Sequence, residues 1–343
     1  MESEDTAAVR AEDADQPAAA NGTERTAPSD AFGVLGNEVR TAVLRQLADQ
    51  PCSFSTLAAE SEAETSAGFA YHLRQLDGQF VRQREDERYE LTGPGREAVR
   101  AMEAGTVTVS VDRSPTELDE QCPRCGDHSL ELQVRDSVAE IACDGCGTTL
   151  LELSLPPGSA LGHDVEAVPD ALDAYHRHRI RSYADGVCPD CGGHATGTVE
   201  QVSREDTDQP PGAGDSQPPE EAAPWPPGSV QLSLGCAVCS AGLDCPVALR
   251  VLDHPAVVSF YREHGKDVTD RPLWDVGPEW RERPVSTDPW CVLVSTRLDD
   301  EVLELYLSGD ARVVGTQRRE VSERPETEEV AAGSDAASDD APA

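Results

Sequence analysis

Lysine is nearly missing from this chain: the 28 basic residues include only Lys266, against 65 aspartates and glutamates, for a formal charge of -37 over 343 residues. Lysine-poor, acidic chains are typical of proteins from salt-rich cytoplasm, where negative charge maintains solubility and salt screens the self-repulsion. The acidity is read first as adaptation to solvent, so it does not exclude an acidic partner. Long apolar runs are also missing, since none approaches the roughly 20 residues of a spanning helix, and the first thirty residues are acidic, unlike a secretory leader. A cytoplasmic protein without membrane association is expected. Catalytic signatures are lacking as well: there is no Gly-rich phosphate loop, no His-Glu-x-x-His helix and no Gly-x-Ser-x-Gly elbow. His264 and the His176/His178 pair read as isolated structural side chains, and no enzyme activity is expected.

What is present is cysteine in pairs. Eight of the eleven cysteines form four Cys-x-x-Cys motifs in a large chain without a leader, which points to metal rather than disulfides. Cys52, Cys245 and Cys291 are left over and read as small buried hydrophobes. Cys245 lies close enough to the last pair to compete as a ligand.

Composition divides the chain. Residues 1–30 and 321–343 have the polar, acidic makeup of disordered tails, and 203–228 (REDTDQPPGAGDSQPPEEAAPWPPG within it) that of an extended loop, with Trp225 as its one large apolar side chain. The ordered expectation is a multidomain α+β protein. Its parts are a helical block at 31–105, a cysteine block at 119–157, a connecting helix at 158–187, a second cysteine block at 188–240, and a small α/β region with antiparallel strands at 241–320.

In the first block Val34, Leu35, Val39, Val43, Leu44 and Leu47 recur at helical spacing, and a short second helix carries Leu57. In a third helix, from about Ser66 to Asp77, Phe69, Leu73 and Leu76 face the core by the i, i+4, i+7 pattern. That leaves Ala67, Gly68, Ala70, Tyr71, Arg74 and Gln75 outward, small residues with a few hydrogen-bonding groups, a face suited to approach base edges. FVRQREDERYELT then alternates about a polar tip at Glu85–Glu87 as a β-hairpin, and a last helix begins near Pro94. Helix, helix-turn-helix, hairpin, helix is the order of a winged helix-turn-helix.

At FGVLGNEVRTAVLRQLAD, FSTLAAES and FAYHLRQLDGQFVRQREDERYELT the block resembles the ArsR-like winged-helix transcription regulators, particularly those of halophilic archaea. The resemblance covers about 75 residues. It implies a homodimer on double-stranded DNA, with the third helix in the major groove and the hairpin along the backbone. The implied contacts are Ser66, Ala67, Ala70, Tyr71, Arg74 and Gln75 on the helix, and Arg82, Arg84 and Arg88 on the wing. Metal-sensing members carry a cysteine pair on DNA-facing helices, whereas this block has only Cys52. Winged helices also bind proteins, and archaeal transcription factor E similarly joins one to a zinc ribbon, so contact with the transcription machinery is the alternative; a zinc-stabilised adaptor is a third. The acidic wing tip favours a protein partner.

Cys122/Cys125 and Cys143/Cys146 have the Cys-x2-Cys-x15–20-Cys-x2-Cys spacing of a zinc site, and LELQVRD, VAEIAC and LLELSL supply short strands for a zinc ribbon. Four thiolates fill a tetrahedral Zn²⁺ and make the site structural. Cys188/Cys191 and Cys236/Cys239 form a second set across a longer gap, with GTVEQVS and SVQLSL as arms. Two zinc ions are expected; four pairs allow three pairings, of which sequential pairing is the simplest. Between the sets, PDALDAYHRHRIRSYADG reads as a helix with Leu172, Tyr175 and Arg179 on one stripe. It holds the densest basic run (His176, Arg177, His178, Arg179, Arg181), read as an exposed face neutralised by carboxylates rather than as a nucleic-acid contact. Near the end, helical segments broken at Pro255 precede three meander strands, WCVLVSTRL, EVLELYL and ARVVGTQ.

Overall fold

A computed structural model describes residues 26–201, 229–276 and 279–321. The expected loop 203–228 with Trp225 lies outside these residues, as do the expected tails except 26–30 and Val321. The chain divides into two units, Met1–Thr108 and Val109–Ala343, each described by itself. The fold is mixed α/β, with helices at the N-terminal end and several antiparallel sheets. Among the described residues no helix is long and apolar enough to cross a membrane.

Unit 1 runs α1 (Pro28–Leu35), α2 (Glu38–Asp49), α3 (Phe54–Glu60), α4 (Ser66–Leu76), the hairpin β1 (Val81–Gln83) and β2 (Tyr89–Leu91), then α5 (Gly93–Glu103). α1 starts inside the segment expected as a tail, because Pro28 at the first helical position and Asp30 in the first turn both suit a helix start. The next four helices each have a side-chain cap: Asn37, Ser53, Thr65 and Thr92 accept from the amides of Arg40, Thr56, Gly68 and Gly95 at 3.1–3.3 Å. Each such cap stabilises its helix by about 1 kcal/mol. Val43, Leu44 and Leu47 of α2, Leu57 of α3, and Phe69, Leu73 and Leu76 of α4 are buried with Phe80, Val81, Leu91 and Val99, as the helical spacing predicts. Cys52 pairs its backbone with Tyr89, tying the start of α3 to the hairpin.

Unit 2 contains three sheets among the described residues. The first is β3 (Arg113–Glu117), β4 (Leu130–Arg135), β5 (Val138–Cys143) and β6 (Thr148–Ser154); α6 (Pro157–Leu161) and α7 (Val168–Ala184) follow. The second is β7 (Ala195–Gln201), β8 (Val230–Cys236) and β9 (Gly242–Pro246). A 3₁₀ turn at Val247–Val251 leads to α8 (Pro255–Glu263), and the third sheet is β10 (Trp280–Thr287), β11 (Trp290–Leu298), β12 (Glu301–Ser308) and β13 (Val313–Glu320). Asp136 and Ser137, both at positive φ, make the tight β4–β5 turn that matches strand twist.

Two expectations are corrected. The separate pieces expected from 119 to 320 share one hydrophobic core, running from Val111 to Ala311, and β9 pairs with β8 across the expected 240/241 limit. Short strands with one apolar face cannot bury it alone, so neighbouring sheets close over one another. The expected three-stranded meander has a fourth strand, β10, at its edge.

Candidate functional site

The two cysteine-bearing sheets repeat one plan. In each, a Cys-x-x-Cys turn precedes a strand, the next strand ends at a cysteine, a second Cys-x-x-Cys turn follows, and a third strand closes the sheet. The amides of Gly126, Gly147, Gly192 and Ser240 each donate to the carbonyl of the first cysteine in their turn, at 2.8–3.2 Å. All four residues have φ between 58° and 82°. Glycine reaches this region without strain, whereas Ser240 occupies it at some cost.

These turns bring together Cys122, Cys125, Cys143 and Cys146 in one group, and Cys188, Cys191, Cys236 and Cys239 in another, with the sulfurs of each group within 4.8 Å of one another. The pairing is sequential. Contacts across each group are Cys122–Cys146 3.9 Å, Cys125–Cys143 3.6 Å, Cys188–Cys239 3.7 Å and Cys191–Cys236 3.5 Å. Four sulfurs at the usual zinc–thiolate distance on a tetrahedron stand about 3.8 Å apart, so the donor set and its size fit Zn²⁺. In every pair the first cysteine is buried and the second exposed.

Polar neighbours prepare one sulfur of each group for the thiolate state, whereas burial and the neighbouring cysteines raise the thiols of Cys122, Cys125, Cys191 and Cys239. Ser129 Oγ lies 3.2 Å from Cys143 Sγ and pulls that thiol down to about 6. The amides of Cys239 and Val238 bring Cys236 likewise to about 6. The amides of Arg124, Asp190 and Gly193 donate to Cys122, Cys188 and Cys191 at 3.4 Å. Such donors to sulfur orient metal ligands and stabilise their charge. Cys245 stands apart from both groups, fully buried on β9, where burial pushes its thiol up; it is the apolar filler expected of a leftover cysteine.

The basic run on α7 departs from its expectation. His176 is fully buried and Arg179 nearly so, rather than lying on an exposed face. Arg179 makes a two-pronged bond to Asp190 at 2.6 and 2.8 Å and donates to the Tyr175 hydroxyl at 3.0 Å. Asp190 lies between Cys188 and Cys191, and the Arg179 guanidinium holds its carboxyl below the usual range. A buried guanidinium requires a matching fork of acceptors. Here it clamps the helix to the Cys188–Cys191 turn.

In unit 1, Phe69, Leu73 and Leu76 turn inward, so Ser66, Ala67, Tyr71, Arg74 and Gln75 are exposed and Ala70 is half-buried. Arg74 has no hydrogen bond or ion pair with the described residues. Arg82, Arg84 and Arg88 are also exposed but paired: Arg82 with Glu90 at 2.7 Å, Arg88 with Asp86 at 2.7 Å, and Arg84 with Asp86 and Glu90 at 3.6 Å.

A family model described as a domain of unknown function, DUF7351, matches residues 119–313, more than half of the chain. The chain belongs to the DUF7351 family. A second model, DUF7347, also described as a domain of unknown function, matches residues 28–102. No curated protein and no solved structure matches the chain. The DUF7351 region contains both cysteine groups, the Arg179–Asp190 clamp and the first three strands of the last sheet, while the helix face and hairpin arginines lie in the DUF7347 region. Sequence reasoning missed Ser129 and Asp190 as supports of the DUF7351 cysteine groups. Asp190 was visible as a residue inside a Cys-x-x-Cys motif, but its partner Arg179 sits on a helix that the sequence reads as exposed.

Proposed function

We propose that this DUF7351 protein is a cytoplasmic DNA-binding transcription regulator. In this reading its first unit is an ArsR-like winged helix-turn-helix, and its two four-cysteine groups hold structural zinc in ribbon-like sheets. The observation that carries the reading is the outward face of α4, where small residues flank Tyr71 and an unpaired Arg74 beside Gln75. Small residues permit close approach to base edges, and Arg and Gln supply the donors that read them. A guanidinium without a partner among the described residues, in so acidic a chain, is a group available for an anion. As a dimer, two such helices would read half-sites about one helical turn apart.

The zinc would cross-link each sheet. Cys122, Cys125, Cys143 and Cys146 would hold one ion and Cys188, Cys191, Cys236 and Cys239 the other, and four thiolates leave no open position for catalysis. The wing arginines would reach phosphates by exchanging their carboxylate partners, a modest step because exposed ion pairs are worth about 0–1 kcal/mol.

That pairing favours a second reading. With Arg82, Arg84 and Arg88 all neutralised within the hairpin, the wing suits a protein of the transcription machinery as well as DNA. Footprinting separates the two. A Tyr71→Ala, Arg74→Ala double variant is expected to lose protection of its own promoter in concentrated salt while keeping the wild-type unfolding temperature. An unchanged footprint contradicts the assigned face, and co-purification with polymerase after nuclease treatment supports the protein-binding alternative.

A further inference from the structure

A cavity of about 180 Å³ opens between the C-terminal half of α7 and the junction of the Val247–Val251 turn with α8. Its lining is unusual for a chain of charge -37, because Arg177, Arg181 and Arg250 all meet in it, beside His254. Arg177 and Arg181 stand one turn apart on α7, so both point to the same side of the helix. Two carboxylates, Asp185 and Asp253, share the lining. With Asp173 paired to Arg177 at 3.4 Å, the three guanidinium groups meet three carboxylates, and what distinguishes the cavity is that Arg181 and Arg250 have no ion pair among the described residues. The negative end of α7 and the positive end of α8 both border it and offset one another, so the unpaired Arg181 and Arg250 are its available cations.

These positive groups are incompletely used by the protein. Arg177 is already held by Asp173, to which Nε and Nη2 donate at 3.4 Å, and by the Arg271 carbonyl, which accepts from Nη2 at 2.6 Å; only its buried Nη1 has no hydrogen-bond acceptor among the described residues, with Asp253 4.0 Å away. Arg250, half-buried, has no hydrogen bond or ion pair with the described residues, and Asp185 acts on it only at longer range. Arg181 is exposed and likewise unpaired. His254 accepts the Ala256 amide at Nδ1, 3.2 Å, which fixes Nε2 as the protonated nitrogen and leaves that N–H to donate. Burial and the nearby Arg250 charge lower its pKa and keep the ring neutral. Desolvating a guanidinium without a counter-ion is costly, and a protein rich in carboxylates could have paired Arg250 as it pairs Arg177 with Asp173.

We propose that this cavity is a binding site for a small hydroxylated phosphate monoester, of the sugar-phosphate class. The guanidinium forks of Arg181 and Arg250, with Nη1 of Arg177, match the oxygens of a doubly charged phosphate, and His254 Nε2–H supplies a neutral donor. Asp185 and Asp253 then accept from the hydroxyl groups of the ester. The volume suits such a molecule, being below the about 300 Å³ at which pockets for larger ligands begin. Nothing in this assignment depends on the DNA-binding reading, since every residue belongs to unit 2.

The test uses the full chain in molar KCl, with equilibrium dialysis of inorganic phosphate and of glycerol phosphate and the unfolding temperature as a second readout. Saturable binding of both is expected, tighter for glycerol phosphate, with unfolding shifted upward as ligand rises. Arg250→Met should weaken binding by about tenfold or more and, without ligand, unfold at the wild-type temperature or above, because an unpaired, partly desolvated charge has been removed. A merely structural arginine would lower it. Should Arg250→Met not fold, the exposed Arg181→Gln carries the same affinity test. Absence of saturable binding, or affinities unchanged in both variants, overturns the assignment.

Discussion

His176 shows how a single burial event sets a pH dependence. It is fully buried on α7, where Nε2–H donates to the Ser154 carbonyl at 2.8 Å and Nδ1 has no partner among the described residues. Burial, opposed by the Ser154 bond and reinforced by the Arg179 charge, brings its pKa from 6.5 down to about 4. Between those values the unfolded chain holds a proton that the folded chain does not. The stability contributed is therefore complete above about pH 6.5 and declines as pH falls toward 4, by at most about 1.4 kcal/mol per unit. His176→Gln keeps a donor for Ser154 but cannot titrate. The stability gap between wild type and this variant is expected to narrow by about 2 kcal/mol between about pH 7 and pH 5 in urea unfolding. Comparing the two proteins cancels the cysteines that titrate nearby, and a gap constant with pH contradicts the assignment.

At the scale of elements, unit 1 depends on a close approach of α5 to the hairpin. A Cβ on Gly95 would stand 2.0 Å from the Phe80 carbonyl oxygen, which also accepts the Thr92 amide and cannot readily move. Gly95→Ala is expected to destabilise unit 1 by about 2 kcal/mol or more. Gly93→Ala, where a Cβ meets nothing within 4 Å, serves as the control in the same thermal melts; equal losses in both would contradict the close approach. Helices and strands with one apolar face were readable, as Leu57, Phe69, Leu73 and Leu76 show, and so were the cysteine groups, whose spacing carries the chemistry. β3 and β10 were not, because both are edge strands containing proline: Pro115 sits in a bulge and Pro284 on the outer edge. Edge strands tolerate proline and charge, so they lack the alternation that marks a strand. The burial of His176 and Arg179 was equally hidden, because it depends on Ser154 and Asp190, partners that no local pattern names.

For the whole molecule, the two cysteine groups, with zinc bound as proposed, and the core of unit 2 should stand or fall together. Cys122, Cys143, Cys188 and Cys236 belong to the same buried core as the strands of all three sheets. Two Zn²⁺ per chain are expected by metal analysis. Chelation should make unit 2 protease-sensitive while the helices of unit 1 persist, since losing structural zinc forfeits binding energy on which folding depends. Fewer than two ions per chain, or a chelated unit 2 that stays protected, contradicts this coupling.

The acidity of the chain remains compatible with DNA at this scale. From 32 to 105 there are 8 basic and 12 acidic residues, a far milder balance than the -37 of the full chain. In concentrated salt, counterion release adds little to any protein's affinity. Under the proposed reading, recognition there would rest on shape and on directed groups such as Arg74. The measurement that tests this most directly is genome-wide chromatin binding of the tagged protein. The account predicts enrichment at discrete sites, abolished by Tyr71→Ala with Arg74→Ala; no enrichment, or enrichment at every active promoter that survives the double substitution, would contradict it.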